Sequence, residues 1–310
     1  MQSEDTDVKA DATPEPDEHP VFHELFNAPG ADTVLGSRDQ VLFRVHSFTL
    51  KTTSGWFRDM FSLPQKEPTG EHRVDLFVDE DAATLEALLR CVCGLAIPAL
   101  ESYDVIEGLL YAAEKYDMPG PLSIVRALVS TPPLLADPLR LFVLACRYGW
   151  DDVAQLAAAR TLALDLHDAR HLPQLLKLSS LPLLGLQAMH RARRDALAER
   201  LNDAPFVGEG TDSTCSHCGS SVDYHTWREL KHRIVMEMDV RPLGDTVVDP
   251  GLSDWPEAQR CWAARCGNCT RVLYDKKETL RVIRSRIDEL PTTMNLRIPP
   301  AGHDRPTIID

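Results

Sequence analysis

The sequence predicts a helix-rich α+β protein, and three observations carry that prediction. Short runs within residues 32–46 and 73–78 alternate apolar and polar side chains, the two-residue period of strands. Most other apolar residues recur at i, i+3, i+4 and i+7, and residues 131–201 hold no strand signal at all. Two Cys-x-x-Cys pairs, Cys215/Cys218 and Cys266/Cys269, point to a small metal-stabilised segment at the C-terminal end.

In chain order, residues 1–20 carry seven acidic side chains against Lys9, too polar to bury a core, so 1–27 is predicted as a disordered acidic tail. Asp32-Thr33-Val34-Leu35 and Val41-Leu42-Phe43-Arg44-Val45-His46 flank the turn residues Ser37-Arg38-Asp39-Gln40 and read as a hairpin. A helix is expected over about 49–61, where Trp56/Met60 and Phe57/Phe61 are i,i+4 pairs. Arg73–Val78 reads as a further strand. Asp81 is placed to cap a helix bearing Leu85, Leu88, Leu89 and Val92. Asp104 is placed to cap another, which must stop before Pro119-Gly120.

Beyond 130, Asp137-Pro138 is an N-cap with proline at the first helical position. Asp151 or Asp152 is expected to cap the next helix. Residues 202–214 are rich in Asp, Pro, Gly and Ser and read as a linker. A helix is expected around Trp227–Met238 and another over Lys276–Leu290. The proline-rich residues 291–310 are predicted to be disordered.

Composition narrows the function. The 310 residues carry a net charge of −14 with 44% hydrophobic residues, enough for two or three domains with cores. That charge argues against nucleic-acid binding by the chain as a whole and against anionic membrane surfaces. Neither a basic-then-apolar leader nor an apolar run of about 18 residues is present. The expected compartment is the cytosol or nucleus, where the eight cysteines would be thiols or metal ligands.

The first folded stretch resembles a BTB/POZ domain. The resemblance rests on Asp32–Leu35, Val41–His46, Phe57-Arg58-Asp59-Met60-Phe61, Asp79–Leu89 (DEDAATLEALL) and Leu109–Tyr116 (LLYAAEKY). The chain's overall style is similar to fungal members with a helical region and cysteine pairs after that domain. The resemblance implies an interaction module, often a homodimer, serving as a scaffold, a cullin-3 ubiquitin-ligase adaptor or a transcriptional regulator. Three departures stand out. Ser47 occupies the position where regulator-type members carry a basic residue opposite Asp32. Leu63-Pro64-Gln65 lacks the carboxylate of the cullin-binding motif. Cys91-Val92-Cys93-Gly94 replaces the usual aromatic–proline turn.

The cysteine pairs resemble the knuckles of a zinc ribbon. A two-residue spacing lets one tight turn present two thiolates to the same ion, and four thiolates satisfy tetrahedral zinc. Glycine in or after each turn, Gly219 and Gly267, is expected to supply the backbone freedom. Residues 219–265 separate the pairs, so at least one helix must be inserted. Cys261, His217 or His225 could replace one of the four ligands. A closed four-ligand site leaves no position for water and would be structural, its binding energy folding a segment thin in apolar residues. Buried free thiols and a redox Cys-x-x-Cys are the competing readings.

The remaining chemistry-bearing residues have bland readings. Cys91, Cys93 and Cys146 are expected in cores and His46 at a strand end. His167/His171 and Arg191-Ala192-Arg193-Arg194 are expected on solvated faces. Residues 215–310 hold fourteen basic and fourteen acidic side chains, which argues against DNA binding through the cysteine segment. Neither a phosphate loop nor a local catalytic arrangement is present. The expected organisation is an interaction domain at 28–130, a helical (BACK-like) domain at 131–201 and a zinc-stabilised domain at 215–290. The expected function is a non-enzymatic scaffold, with cullin-3 adaptor and DNA-binding regulator as alternatives.

Overall fold

The computed structural model of the chain describes residues 21–63, 75–206 and 214–294. Residues 1–20 of the predicted tail, Arg73–Val74 of the third predicted strand, Pro64-Gln65, most of the linker and residues 295–310 lie outside the described residues. The chain divides between Leu128 and Val129 into two compact units.

Among the described residues, the first unit holds a four-stranded sheet and five helices. Its elements are β1 (Val21–Phe22), β2 (Thr33–Gly36), β3 (Val41–Val45), α1 (Ser47–Thr53), α2 (Gly55–Ser62), β4 (Leu76–Phe77), α3 (Ala82–Val92), α4 (Tyr103–Lys115) and α5 (Pro119–Leu128). Strand order is β1-β3-β2-β4. The predicted hairpin is β2–β3, antiparallel with Leu35 opposite Phe43, while β1 joins β3 and β4 joins β2 in parallel. Leu35, Leu42 and Phe43 are buried, together with Leu85, Leu88 and Leu89 of α3 and Ile106, Leu109 and Leu110 of α4.

Three local expectations change in this unit. β1 falls inside the predicted tail, because two paired residues are too few to show a period. The helix expected over 49–61 is two helices broken at Ser54, whose backbone is extended and whose side chain accepts from Phe57 N (3.0 Å) to cap α2. Ser54 Oγ also donates to the Tyr116 carbonyl (2.5 Å), and Gly55 lies so close to Asp117 that a Cβ would overlap its carboxylate. α4 is capped by Ser102, which accepts from Asp104 N (3.3 Å), and Asp104 sits in the first turn. Asp81 caps α3 as expected, accepting from Thr84 N at 2.8 Å.

The second unit is helical. Its helices are α6 (Pro132–Leu135), α7 (Pro138–Arg147), α8 (Asp151–Thr161), α9 (Leu172–Leu175), α10 (Ser180–Arg200), α11 (His225–Val240), α12 (Leu252–Asp254), α13 (Pro256–Ala263) and α14 (Lys276–Asp288). Asp137 caps α7 through Arg140 N (3.1 Å), whereas Trp150 occupies the N-cap of α8 with Asp151 and Asp152 in the first turn.

The helical stretch and the cysteine segment share one core. Leu197 and Leu201 of α10 join Trp227, Leu230, Ile234 and Met238 of α11, Ala258 and Cys261 of α13, and Ile283 and Ile287 of α14. Phe206, inside the predicted linker, stacks on Trp227 with ring centroids 4.6 Å apart. The C-terminal segment is therefore not thin in apolar residues, and its helices pack a core that Cys215, Cys218, Cys266 and Cys269 do not enter.

Arg193 was expected in solvent but is buried at 2% exposure. It donates to the carbonyls of Pro242 (2.8 Å), Leu290 (2.9 Å), Pro291 (3.0 Å) and Leu243 (3.3 Å), tying α10 to the ends of α11 and α14. Among the described residues no helix is long and apolar enough to cross a membrane.

Candidate metal centre and interaction domain

Each cysteine pair sits in a tight turn closed by a short antiparallel bridge, Thr214 with Ser221 and Arg265 with Val272. The two turns repeat the same backbone bonds. Cys215 N donates to Ser220 O (2.8 Å) and Gly219 N to Cys215 O (2.9 Å). In the second turn Cys266 N donates to Arg271 O (2.9 Å) and Thr270 N to Cys266 O (2.9 Å). The residue after the second cysteine must take a left-handed backbone in both, Gly219 at φ 69° and Thr270 at φ 60°. Gly267 was expected to provide that freedom, but the strained position falls on a β-branched threonine.

The turns bring four sulfurs together. Cys215 Sγ lies 3.7 Å from Cys269 Sγ, Cys218 Sγ lies 3.7 Å from Cys266 Sγ, and all four lie within 4.8 Å of one another. Four sulfurs about 2.3 Å from a central zinc would form a tetrahedron with edges of about 3.8 Å, so the cluster fits an ion of that size. Cys261, His217 and His225 do not join it. Cys261 is buried in the shared core, where burial pushes its thiol up to about 12. His225 is exposed, 3.7 Å from Asp223.

The surroundings favour thiolate. The N–H groups of His217 and Cys218 face Cys215 Sγ and lower its pKa. The Ser220 hydroxyl and N–H hold Cys218 down to about 6. The Arg271 N–H acts the same way on Cys269, but burial and the facing sulfurs outweigh it and push that thiol up to about 11. One closely packed set of sulfurs cannot carry four negative charges without a cation, and this opposition of neighbours expresses that. Asn268 of the second turn donates to Ser220 Oγ of the first (2.8 Å), and Ser220 Oγ lies 3.3 Å from Cys218 Sγ, so a side-chain bridge locks the two turns together.

In the first unit, Asp32 accepts from both the Ser47 N–H (2.7 Å) and the Ser47 hydroxyl (2.6 Å), which lower its pKa. The carboxylate is satisfied by local hydrogen bonds rather than a facing cation. A second polar group lies deeper. Glu80, 7% exposed, accepts from Tyr116 OH (2.5 Å) and Lys115 Nζ (3.0 Å), fastening the end of α4 to the start of α3. Asp39 and Asp81 lie at the same corner, at the start of α3. The carboxylates cap helix ends or bond neighbouring backbone.

Residues 22–131 match the family model of the BTB/POZ domain. This stretch is a BTB/POZ domain. No curated protein matches the chain. The match begins inside β1, so the BTB/POZ domain takes in residues assigned above to the tail. BTB domains mediate protein–protein interaction and dimerisation and are in general interaction modules rather than enzymes. The expected order of hairpin, helix, strand and two helices is found in the observed unit, with the first helix divided into α1 and α2 and with α5 added at the end. Within it the Asp32 carboxylate is closed upon Ser47 by two hydrogen bonds.

Sequence reasoning missed Ser220, Asn268 and Arg193. A serine two residues after a cysteine pair and an asparagine between cysteines carry no signal until the two turns face each other. Arg193 was hidden in a run of three arginines, two of which do reach the surface.

Proposed function

We propose that the chain is a non-enzymatic interaction scaffold whose BTB/POZ domain pairs with itself or with a protein partner. A structural zinc ion held by Cys215, Cys218, Cys266 and Cys269 fixes the C-terminal segment. The observation that carries the first half is the BTB/POZ match over residues 22–131. The second half is supported by four sulfurs gathered within 4.8 Å, a donor set of the kind that selects zinc over harder cations. Zinc bound there would neutralise the thiolates and hold the two turns at a fixed distance. With all four positions filled by cysteine it would offer no site to a substrate.

The helical stretch at 131–201 and the cysteine segment at 215–290 would then form the rigid body that the BTB/POZ domain carries, in the cytosol or nucleus. Cullin-3 adaptor function is less well supported, because Leu63-Pro64-Gln65 lacks the carboxylate of the cullin-binding motif. Light scattering on the purified chain tests the scaffold reading. The expected mass is twice the 34.6 kDa of one chain at micromolar concentration. A monomer that also captures no partner through residues 22–131 would contradict it.

A further inference from the structure

The second cysteine turn and α14 form a basic surface on an acidic chain. Between Arg260 and Arg286 the sequence carries eight basic side chains and only two acidic ones, Asp275 and Glu278, while the whole chain stands at −14. Seven of the eight are exposed and Arg286 is half-buried. Arg260, Arg281 and Arg286 find carboxylates at Glu229 and Glu257, at Glu278 and at Glu289. Arg265, Arg271, Lys276, Lys277 and Arg284 have no acidic partner among the described residues. Lys277, Arg281 and Arg284 stand at i, i+4 and i+7, one stripe of α14 facing away from the buried Ile283 and Ile287. With Leu280 they line a shallow groove whose remaining edge is formed by Asp275 and Glu278 at the start of the helix.

We propose that this surface docks a short acidic peptide segment of a partner protein, with Leu280 receiving an apolar side chain among the acids. Like charges one turn apart on a helix repel; Glu278 compensates Arg281 in the middle of the stripe (2.6 and 2.9 Å), while Lys277 and Arg284 at its two ends await a counter-charge. α14 is 13 residues and so about 20 Å long, the length of roughly six base pairs. A longer nucleic acid must run beyond it over a chain whose remainder is more acidic than its total. A short peptide stays on the basic stripe, and at a screening length of about 8 Å it feels little of the rest. This inference adds a second docking surface to the scaffold reading and takes from that reading only that the partner is a protein.

The test is fluorescence polarisation of the zinc-loaded full chain with a short fluorescein-labelled peptide of glutamate, leucine and serine. Saturable binding is expected, weakening by about tenfold or more between about 50 and 300 mM salt. The double variant Lys277→Glu/Arg284→Glu should bind at least about tenfold more weakly, while Lys277→Arg/Arg284→Lys binds as the parent does. If the reversed variant loses its metal, Lys277→Gln/Arg284→Gln at parental metal content supplies the comparison. Undetectable binding at low salt, or equal binding by the charge-altered chain, overturns the inference. So does a labelled DNA duplex of about twenty base pairs that binds more tightly and displaces the peptide, which would give the face to nucleic acid. Light scattering on the same samples reads BTB pairing separately, so either reading can fail while the other stands.

Discussion

Thr270 carries the left-handed backbone of the second cysteine turn. It repeats the role of Gly219 in the partner turn but carries a branched Cβ at φ 60°. Such a conformation costs on the order of 1–2 kcal/mol. Thr270→Gly should therefore raise the unfolding free energy of the chain by about 1 kcal/mol, read by urea denaturation, with unchanged metal content. Lower stability would mean that the Thr270 side chain contributes contacts outweighing the strain. His190 gives a pH signature at the same scale. It is 8% exposed, with Nε2 3.0 Å from Thr161 Oγ1. Burial, with His167 and Arg193 nearby and only Asp165 opposing, lowers its pKa from 6.5 to about 4. The unfolded chain then binds a proton between those values that the folded chain refuses. His190 thus leaves stability intact above about 6.5 and removes on the order of 3 kcal/mol as pH falls toward 4. In His190→Gln the acid-side slope of the unfolding free energy should flatten across that window, and an unchanged slope would remove His190 as its source.

Arg193 shows how an element end is held. Four carbonyls at the ends of α11 and α14 accept from its guanidinium, and the bonds to Pro242 and Leu290 are buried. Arg193→Lys keeps the charge but cannot reproduce the fork, and should cost about 3 kcal/mol or more in thermal or urea unfolding. A loss below about 0.5 kcal/mol would show that the carbonyls find other donors. Element type was readable wherever a period ran long enough. α3, α7, α11 and α14 lie where the apolar spacing placed them, and the β2–β3 hairpin follows its alternation and turn residues. What escaped was set by single residues. Ser54 divides one amphipathic run into α1 and α2 because its side chain caps from within the pattern. β1 is two residues paired to a strand twenty positions away, and a local pattern cannot carry that information. The four metal-centre cysteines were legible because the two-residue spacing reports a turn directly, whereas the Ser220–Asn268 bridge between those turns exists only in three dimensions.

At the scale of the molecule, the BTB/POZ domain supplies an interaction surface and the second unit supplies a helical body whose core runs from Leu197 to Leu290. Because that core packs without Cys215, Cys218, Cys266 and Cys269, a zinc ion bound by them would have a narrower task than in a zinc finger, where apo protein is unfolded. Chelation of the full chain should therefore abolish ordering of the two turns while far-UV circular dichroism retains most of the helical signal. Collapse of that signal on chelation would mean that the metal, not the Trp227 core, holds α11 to α14. The acid-rich chain with a basic stripe on α14 also fits a molecule that meets two kinds of partner through two surfaces.

The central claim is that Cys215, Cys218, Cys266 and Cys269 converge on one ion. Metal content per chain, measured by elemental analysis on the parent and on Cys266→Ser, tests it most directly. About one zinc per parent chain is expected, and its loss from the variant, the behaviour of a four-thiolate site deprived of one ligand. A parent chain free of zinc after purification without chelators, or a variant that keeps the full complement, would contradict it.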